Sequence, residues 1–193
     1  MAREIGYFKY KSRSSIELYG SGLFTDKEDS GYVYGWENKL GQYTLTAHLK
    51  LFNGTTSDAK AGLMLRTMAK SDSAFIAVFV CGDNKIRIIR RINRGDNLTI
   101  VSTIDIGRND AIWLRIHNLG GDLTISYSLN LDNLDASNVT WTEIGSFTGI
   151  VSGWNNQYKY LSCSSGSDNV NLAYFTRVIT EECYVSPNGQ KEG

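Results

Sequence analysis

Residues 61–91 read AGLMLRTMAKSDSAFIAVFVCGDNKIRIIRR, and this stretch decides the fold. Three short runs within it, at 61–68, 75–80 and 85–92, either alternate apolar and polar residues or are wholly apolar. Polar segments such as Gly82-Asp83-Asn84 separate the runs, and these residue types favour tight turns. Because neighbouring side chains point to opposite faces of a strand, the stretch predicts three β-strands joined by turns.

The same pattern continues along the rest of the chain. Further candidate strands lie at 16–19, 31–36, 43–52, 99–104, 112–117, 123–129, 140–147, 158–162 and 171–176. Apolar residues show no sustained recurrence at three and four positions, so helices are nearly absent. Strands without intervening helices exclude a parallel α/β sheet, and the lack of internal repeats argues against solenoids and propellers. An antiparallel sandwich or barrel remains.

Length and composition predict a single folded domain. The chain has 193 residues, of which 41% are hydrophobic and 21% charged, far from the composition of a disordered protein. We assign 1–180 to this domain. Residues 181–193, which include the only proline, Pro187, form a polar tail with little to bury.

Charge and apolar runs exclude two classes of partner. Lys plus Arg and Asp plus Glu are both 20, so no net field draws the chain to nucleic acid. The longest apolar run, 74–81, is far shorter than the ~20 residues of a membrane helix. The first residues show no basic region followed by an apolar run, so no secretory signal is visible.

Cys163 could pair with Cys81 or Cys183, and ordinary free thiols are the alternative.

Alternation sorts the strand residues into two faces. One face is apolar and predicts the core: Leu63, Leu65, Ile76, Val78, Val80, Ile86, Ile88, Leu114, Ile116, Leu123, Ile125 and Tyr127. The opposite face is Met64, Arg66, Phe75, Phe79, Arg87, Ile89, Arg91, Trp113, Arg115, Thr124 and Ser126. If those strands share one sheet, the second face can stack on sugar rings and donate to hydroxyl or carboxylate oxygens. The alternative is that a loop or the first strands cover its aromatic residues.

Two further aromatic groups suit an edge site. They are Tyr32, Tyr34 and Trp36 on one strand face, and the segment Trp154-Asn155-Asn156-Gln157-Tyr158. Side-chain amides fit a sugar diol, and a neighbouring ring supplies a stacking plane. The alternatives are ordinary strand packing for the first group and a plug at the end of the core for Trp154.

Several segments resemble a known family in their order. They are Ala61-Gly62-Leu63-Met64-Leu65-Arg66, residues 75–80, residues 85–91, Trp113-Leu114-Arg115-Ile116, Ile125-Ser126-Tyr127-Ser128 and Trp141-Thr142-Glu143-Ile144-Gly145. Together they resemble successive strands of concanavalin A-like lectin/glucanase domains of the regulation-of-enolase or laminin G-like kind. The resemblance covers about 16–178 and implies an all-β antiparallel jelly-roll β-sandwich of two packed sheets.

The same resemblance implies a role and a setting. Such domains are often modules of secreted polysaccharide-degrading enzymes or of cell-surface proteins, so we expect an extracellular or cell-surface location. Arg66, Arg91 and Arg115 occupy the matching positions. The chain departs from the pattern at 129–139, where a longer loop replaces a short turn.

Catalytic signatures are thin. Glycosidases need two carboxylates flanking the bond, but Glu17 and Glu143 lie on different predicted strands, and Glu37 directly follows a third. His48 and His117 stand beside no serine or cysteine motif, so the sequence leans against an enzyme. No cofactor is required. Related lectin folds often hold a structural Ca²⁺, for which Asp132, Asp135 and Asp168 are weak candidates, with simple turn chemistry as the alternative.

These observations favour a non-catalytic, lectin-like carbohydrate-binding module that recognises a poly- or oligosaccharide. The predicted contacts are Arg66, Arg91, Arg115, Trp113 and Phe79 on the sheet, or Trp36, Trp154, Asn155 and Tyr158 at its edge. The alternative is a structural or adhesion protein, such as a phage-tail or cell-surface component. In that case the same surface makes protein contacts in an oligomer or larger assembly.

Overall fold

The computed structural model describes residues 6–24, 32–38, 40–54, 56–130 and 135–183, and for 32–34 and 36–38 it describes the backbone alone. Its strands are β1 Gly6–Ser12, β2 Ser15–Gly22, β3 Tyr32–Asn38, β4 Tyr43–Phe52, β5 Lys60–Arg66, β6 Phe75–Cys81, β7 Lys85–Arg91, β8 Thr99–Asp105, β9 Ile112–Leu119, β10 Asp122–Ser128, β11 Thr142–Phe147, β12 Tyr158–Ser164 and β13 Ser167–Glu182. One short 3₁₀ helix, Ala136–Asn138, precedes β11.

The strands form two sheets. The seven-stranded sheet has the order β1-β2-β13-β4-β9-β10-β11, and the six-stranded sheet has the order β3-β12-β5-β6-β7-β8. Neighbouring strands pair antiparallel in both sheets. This arrangement confirms the predicted all-β sandwich of two packed sheets.

The core lies between the sheets and consists of the residues that alternation assigns to it. On β9, for example, Ile112, Leu114 and Ile116 are fully buried, while the half-buried Arg115 and His117 point to the other face. The other predicted core residues join the same cluster, with Tyr127 packed against it as a partly buried member. Each fully buried aliphatic side chain contributes roughly 1.5–3 kcal/mol, so this layer holds the sheets together.

The opposite face does not form one shared surface, so that prediction is wrong. Its members on β5, β6 and β7 belong to the six-stranded sheet, whereas Trp113 and Arg115 on β9 belong to the other. Period-two alternation gives the face of a strand but not the sheet that the strand joins.

A second buried cluster covers the outer face of the six-stranded sheet. Phe75 and Phe79 are 1% and 0% exposed, and they pack with Met64, Ile89 and Tyr160. The ring of Phe24 lies across them, with its centroid 5.1 Å from that of Phe79. Phe79 is therefore a packing residue beneath a covering segment, not an exposed sugar platform.

The last strand runs beyond the predicted domain boundary. Glu181 and Glu182 pair with Thr44 and Tyr43 of β4, so the tail does not begin at 181. The remaining part of the predicted tail, 184–193, lies outside the described residues.

All three cysteines are free. Cys81 and Cys163 are buried and Cys183 is half-buried. Burial raises the pKa of the Cys163 thiol to about 12. The ordinary-thiol interpretation therefore holds, and the disulfide alternatives do not.

Candidate functional site

The outer face of the seven-stranded sheet carries a groove of about 610 Å³. Its lining residues are Thr44, Thr46, Arg115, Asp135, Ala136, Ser137, Val139, Trp141, Arg177, Ile179 and Glu181. Strands β4, β9 and β13 supply the floor, and the segment 135–141 supplies a wall.

Strand register explains why the floor residues meet. Thr46 of β4 pairs with Arg115 of β9 on one side and with Ile179 of β13 on the other. Residues directly opposite in an antiparallel pair share a face, so these three side chains form one row across the sheet. Thr44 and Glu181 form part of the next row.

The wall is held in place by a short capped turn and a buried anchor. The Asp135 carboxylate accepts hydrogen bonds from the Ser137 backbone N–H at 3.0 Å and from the Ser137 hydroxyl at 2.8 Å. Val139, in the same segment, is buried. These contacts leave Trp141 half-buried at the side of the groove.

Trp113 lies beneath this wall and is 0% exposed. Its ring meets Trp141 edge-on, with centroids 6.4 Å apart, and packs against His48 at 4.9 Å. The prediction that Trp113 is an accessible contact is therefore wrong, because Trp141 and His48 pack against it.

Arg115 is the central side chain of the groove. Its guanidinium lies over the Trp141 ring, 4.1 Å from the centroid. Its Nε is buried and has no hydrogen-bond partner among the described residues, and burial lowers the pKa of the guanidinium. A buried donor without a hydrogen-bond partner is costly, so Arg115 is a candidate ligand-binding group.

A β-bulge adds a second cation to the groove. The pairing of β13 with β4 shifts register between Thr176 and Ile179, and Arg177 in the bulge has φ of 54°. Bulges redirect side chains next to binding sites, and a positive φ at a non-glycine residue stores strain. The two hydrogen bonds from Ser137 lower the pKa of Asp135, and the charge of Arg177 adds to this effect.

A small polar cluster borders the groove at Thr44. The Thr44 hydroxyl lies 2.9 Å from His117 Nδ1 and 3.4 Å from the Cys183 thiol. Burial, together with the charge of Arg115, lowers the pKa of His117. His117 is therefore a neutral hydrogen-bonding group near pH 7.

Arg66 and Arg91, two of the predicted sugar contacts, are 2% and 1% exposed, and they brace loops. Arg66 donates to the Ser73 hydroxyl and to the Lys70 carbonyl. Arg91 donates to the carbonyls of Asp96, Ser71 and Ser73. Both guanidinium groups donate hydrogen bonds to the loops before β6 and after β7, so they are not available to a ligand in this structure.

The described residues predicted to form an edge site lie in different environments and do not form one surface. Trp154 packs partly buried against the core, Asn155 is exposed, and Tyr158 packs against the second buried cluster. Gln157 Oε1 accepts from the Tyr43 hydroxyl and from Asn118 Nδ2, so this segment closes one end of the sandwich. Trp36 lies in β3, and its side chain lies outside the described part of the structure.

The candidate calcium ligands show no common centre. The Asp135 carboxylate serves its own turn, Asp168 is exposed on β13, and Asp132 lies outside the described residues. Within the described ranges, no three His, Cys, Asp or Glu side chains lie close enough to hold a metal ion. A structural calcium ion stays a prediction.

Sequence reasoning found Arg115 but missed most of its neighbours. Thr44, Thr46 and Arg177 carry no local signal, since strand register and a bulge bring them together. Trp141 belongs to one of the segments that resemble the lectin/glucanase family. The unusual length of 129–139 was the signal that could have pointed to the wall at 135–141. In the described residues, no helix is long and apolar enough to span a membrane.

Comparison with known proteins gives a likeness in fold. No protein-family model matches the sequence, and no curated protein matches it. A functionally unknown protein from Saccharomyces cerevisiae superposes with a TM-score of 0.63 at 15% identity, over 93% of this chain and 97% of that one.

Two other solved structures extend the comparison. The exoplasmic/lumenal domain of VIP36, in a form bound to Ca²⁺ and Man3GlcNAc, has a TM-score of 0.52 at 12% identity, over 96% of this chain and 86% of that one. The GH43 protein BlXynB from Bacillus licheniformis, as a K247S mutant, has a TM-score of 0.62 at 12% identity, over 86% of this chain. This chain spans only 33% of the length of BlXynB. At these identities the likenesses show a shared β-sandwich fold.

Proposed function

We propose that this protein is a non-catalytic carbohydrate-binding module that holds a poly- or oligosaccharide in the groove. The observation that carries the proposal is the pair formed by Arg115 and Trp141, a planar cation over a half-buried ring. Rings stack on the C–H faces of sugars, and a guanidinium donates to sugar oxygens.

The rest of the lining supports the same ligand class. Thr44 and Ser137 bring hydroxyls, and Glu181 brings a carboxylate. Sugar hydroxyls both donate and accept, so a mixed set of groups suits them. The volume of about 610 Å³ also falls within the roughly 300–1,000 Å³ of small-molecule sites.

The environment of Asp135 favours binding over hydrolysis. A glycosidase needs a general acid whose pKa is raised so that it stays protonated near neutral pH. Asp135 has the opposite environment, because the Ser137 hydrogen bonds lower its pKa. An acid held ionised in this way cannot donate a proton to a leaving group.

The solved structures are compatible with this proposal. One similar domain was solved with Man3GlcNAc and Ca²⁺ bound, and its name places it on the exoplasmic or lumenal side of a membrane. We extend the proposal to an extracellular or cell-surface setting. A structural calcium ion is part of the same proposal, tested by repeating each binding measurement in EDTA.

A glycan-array screen followed by calorimetry tests the proposal. We expect Trp141→Ala to weaken binding of the best array ligand at least about tenfold, which corresponds to about 1.4 kcal/mol. The fold should persist, because Trp141 is half-buried and lies outside the central core.

Tyr10→Ala is the matched control, since Tyr10 is 62% exposed on β1 and does not line the groove. This variant should bind like the wild type. If no glycan binds the wild-type protein, or if both variants bind equally well, the groove is not a sugar site.

A structural or adhesion role has its own support. Every residue of β1, an edge strand, is exposed, including Tyr7, Phe8 and Tyr10 at 44%, 40% and 62%. Exposed aromatic residues on a sheet edge suit a protein partner. A stable oligomer in light scattering that Tyr10→Ala dissolves, together with an empty glycan array, would favour this second candidate.

A further inference from the structure

We propose that the groove selects glycans that carry a carboxylate, with Arg115 as the residue that binds it. This inference rests on the proposed glycan site and adds the chemical class of the sugar, a uronic or other acidic residue.

Arg115 differs from the paired arginines of the described chain. Arg87, Arg94 and Arg108 form ion pairs with Asp83, Asp72 and Asp110. Arg66 and Arg91 donate to loop oxygens. Arg115 has only the Trp141 ring, and no hydrogen bond or ion pair to it occurs in the part of the chain that the structure describes.

The lack of a hydrogen-bonding partner for Arg115 among the described residues indicates the charge of the ligand. Partial burial removes Nε of Arg115 from water, and no ion pair with an acid of the groove compensates the charge of the guanidinium. An anionic group that enters the groove would accept hydrogen bonds from the guanidinium and compensate its charge. A neutral hydroxyl would only accept a hydrogen bond. Carboxylates fit best, because their two oxygens match the fork of a guanidinium, and this guanidinium already lies over the Trp141 ring.

The two acids of the groove do not fill this role. Asp135 is occupied by the Ser137 N–H and hydroxyl. Glu181 pairs with Thr44, two residues along β4 from the partner of Arg115, which places it about 7 Å along the strand direction. Arg177 adds a second positive charge to the lining.

The test compares a panel of hexuronate oligosaccharides with their carboxyl-reduced counterparts, at pH 7 and by calorimetry. For at least one pair we expect the acidic form to bind wild-type protein at least about tenfold more tightly. Arg115→Gln should remove this preference, and Arg115→Lys should retain part of it.

Arg90→Gln is the matched control, because Arg90 also has a buried Nε without a partner but does not line this groove. It should keep the full preference. Thermal melting of each variant checks that it is folded, and the comparison of ligands on wild-type protein needs no variant at all.

The outcomes separate the two proposals. If reduced and acidic sugars bind equally, or if only sulfated oligosaccharides bind tightly, selection of carboxylates is wrong while glycan binding stands. If Arg115→Gln keeps the preference, Arg115 is not the residue responsible. If no sugar of any kind binds, both the inference and the proposed function fall.

Discussion

At the scale of single residues, buried arginines in this protein serve opposite purposes. The half-buried Arg115 has no hydrogen-bonding partner among the described residues, whereas Arg91 is 1% exposed and donates to three backbone carbonyls at 2.9–3.1 Å. Those carbonyls belong to two loops, one before β6 and one after β7. Arg91 therefore joins two connections that are far apart in sequence.

Arg91→Gln should lower the free energy of unfolding by about 2–4 kcal/mol, since it strands buried carbonyl oxygens that the shorter side chain cannot reach. Urea denaturation followed by circular dichroism measures the change. Arg94→Gln is the control, because Arg94 is an exposed partner of Asp72, and its loss should cost less than about 1 kcal/mol. Equal effects of the two variants would contradict the bracing role of Arg91.

At the scale of elements, the pairing of β5 with β6 depends on one glycine. Gly62 lies opposite Phe79, and a Cβ at this position would overlap the backbone carbonyl of Val78. Glycine permits such a close approach of two backbones. The glycine of the 61–66 segment is therefore explained by the packing of two central strands.

Gly62→Ala should cost more than about 2 kcal/mol of stability or prevent folding, because the clash involves backbone that cannot rotate away. Gly153→Ala is the matched control, since nothing lies within 4 Å of its added Cβ. That change should stay within about 0.5 kcal/mol. Chemical denaturation of both proteins gives the comparison, and a stable Gly62→Ala variant would refute the close-approach argument.

Alternation predicted the strands and their inward faces because it is a local property of the backbone. Leu114 and Ile116 followed directly from it. Strand β1 was missed, since its residues are exposed on both faces and show no apolar rhythm. Which strands become neighbours depends on contacts distant in sequence, so the split of Phe79 and Trp113 between two sheets could not be predicted.

The candidate site was predictable only in part for the same reason. Arg115 was found because it alternates with core residues on β9. Trp141 and Arg177 reach it through a loop and a bulge, whose geometry no periodic pattern encodes. The packing of Trp141 against Trp113 is likewise a tertiary effect.

At the scale of the whole molecule, stability should depend on pH through His48. Burial, together with the charge of Lys50, lowers the pKa of His48 from 6.5 to about 4, and Nε2 has no hydrogen-bond partner. The unfolded chain therefore binds a proton between these values that the folded chain does not. Stability is complete above about pH 6.5 and is lost as the pH falls toward 4.

The expected loss is on the order of 2–3 kcal/mol between pH 7 and 4. Urea titrations at a series of pH values measure it. His48→Gln should flatten most of this slope, with a smaller residual from His117, whose pKa is lowered in the same direction. A variant with the full wild-type slope would show that His48 is not the titrating group.

The groove takes its floor from paired strands and its wall from the connecting segment 135–141. The packed strands stabilise the sandwich, whereas a connecting segment can be replaced with less effect on stability. Replacing this connection would therefore change the lining of the groove, and with it any ligand preference, without changing the scaffold. Ligand selectivity and the fold of the sandwich therefore depend on different segments of the same chain.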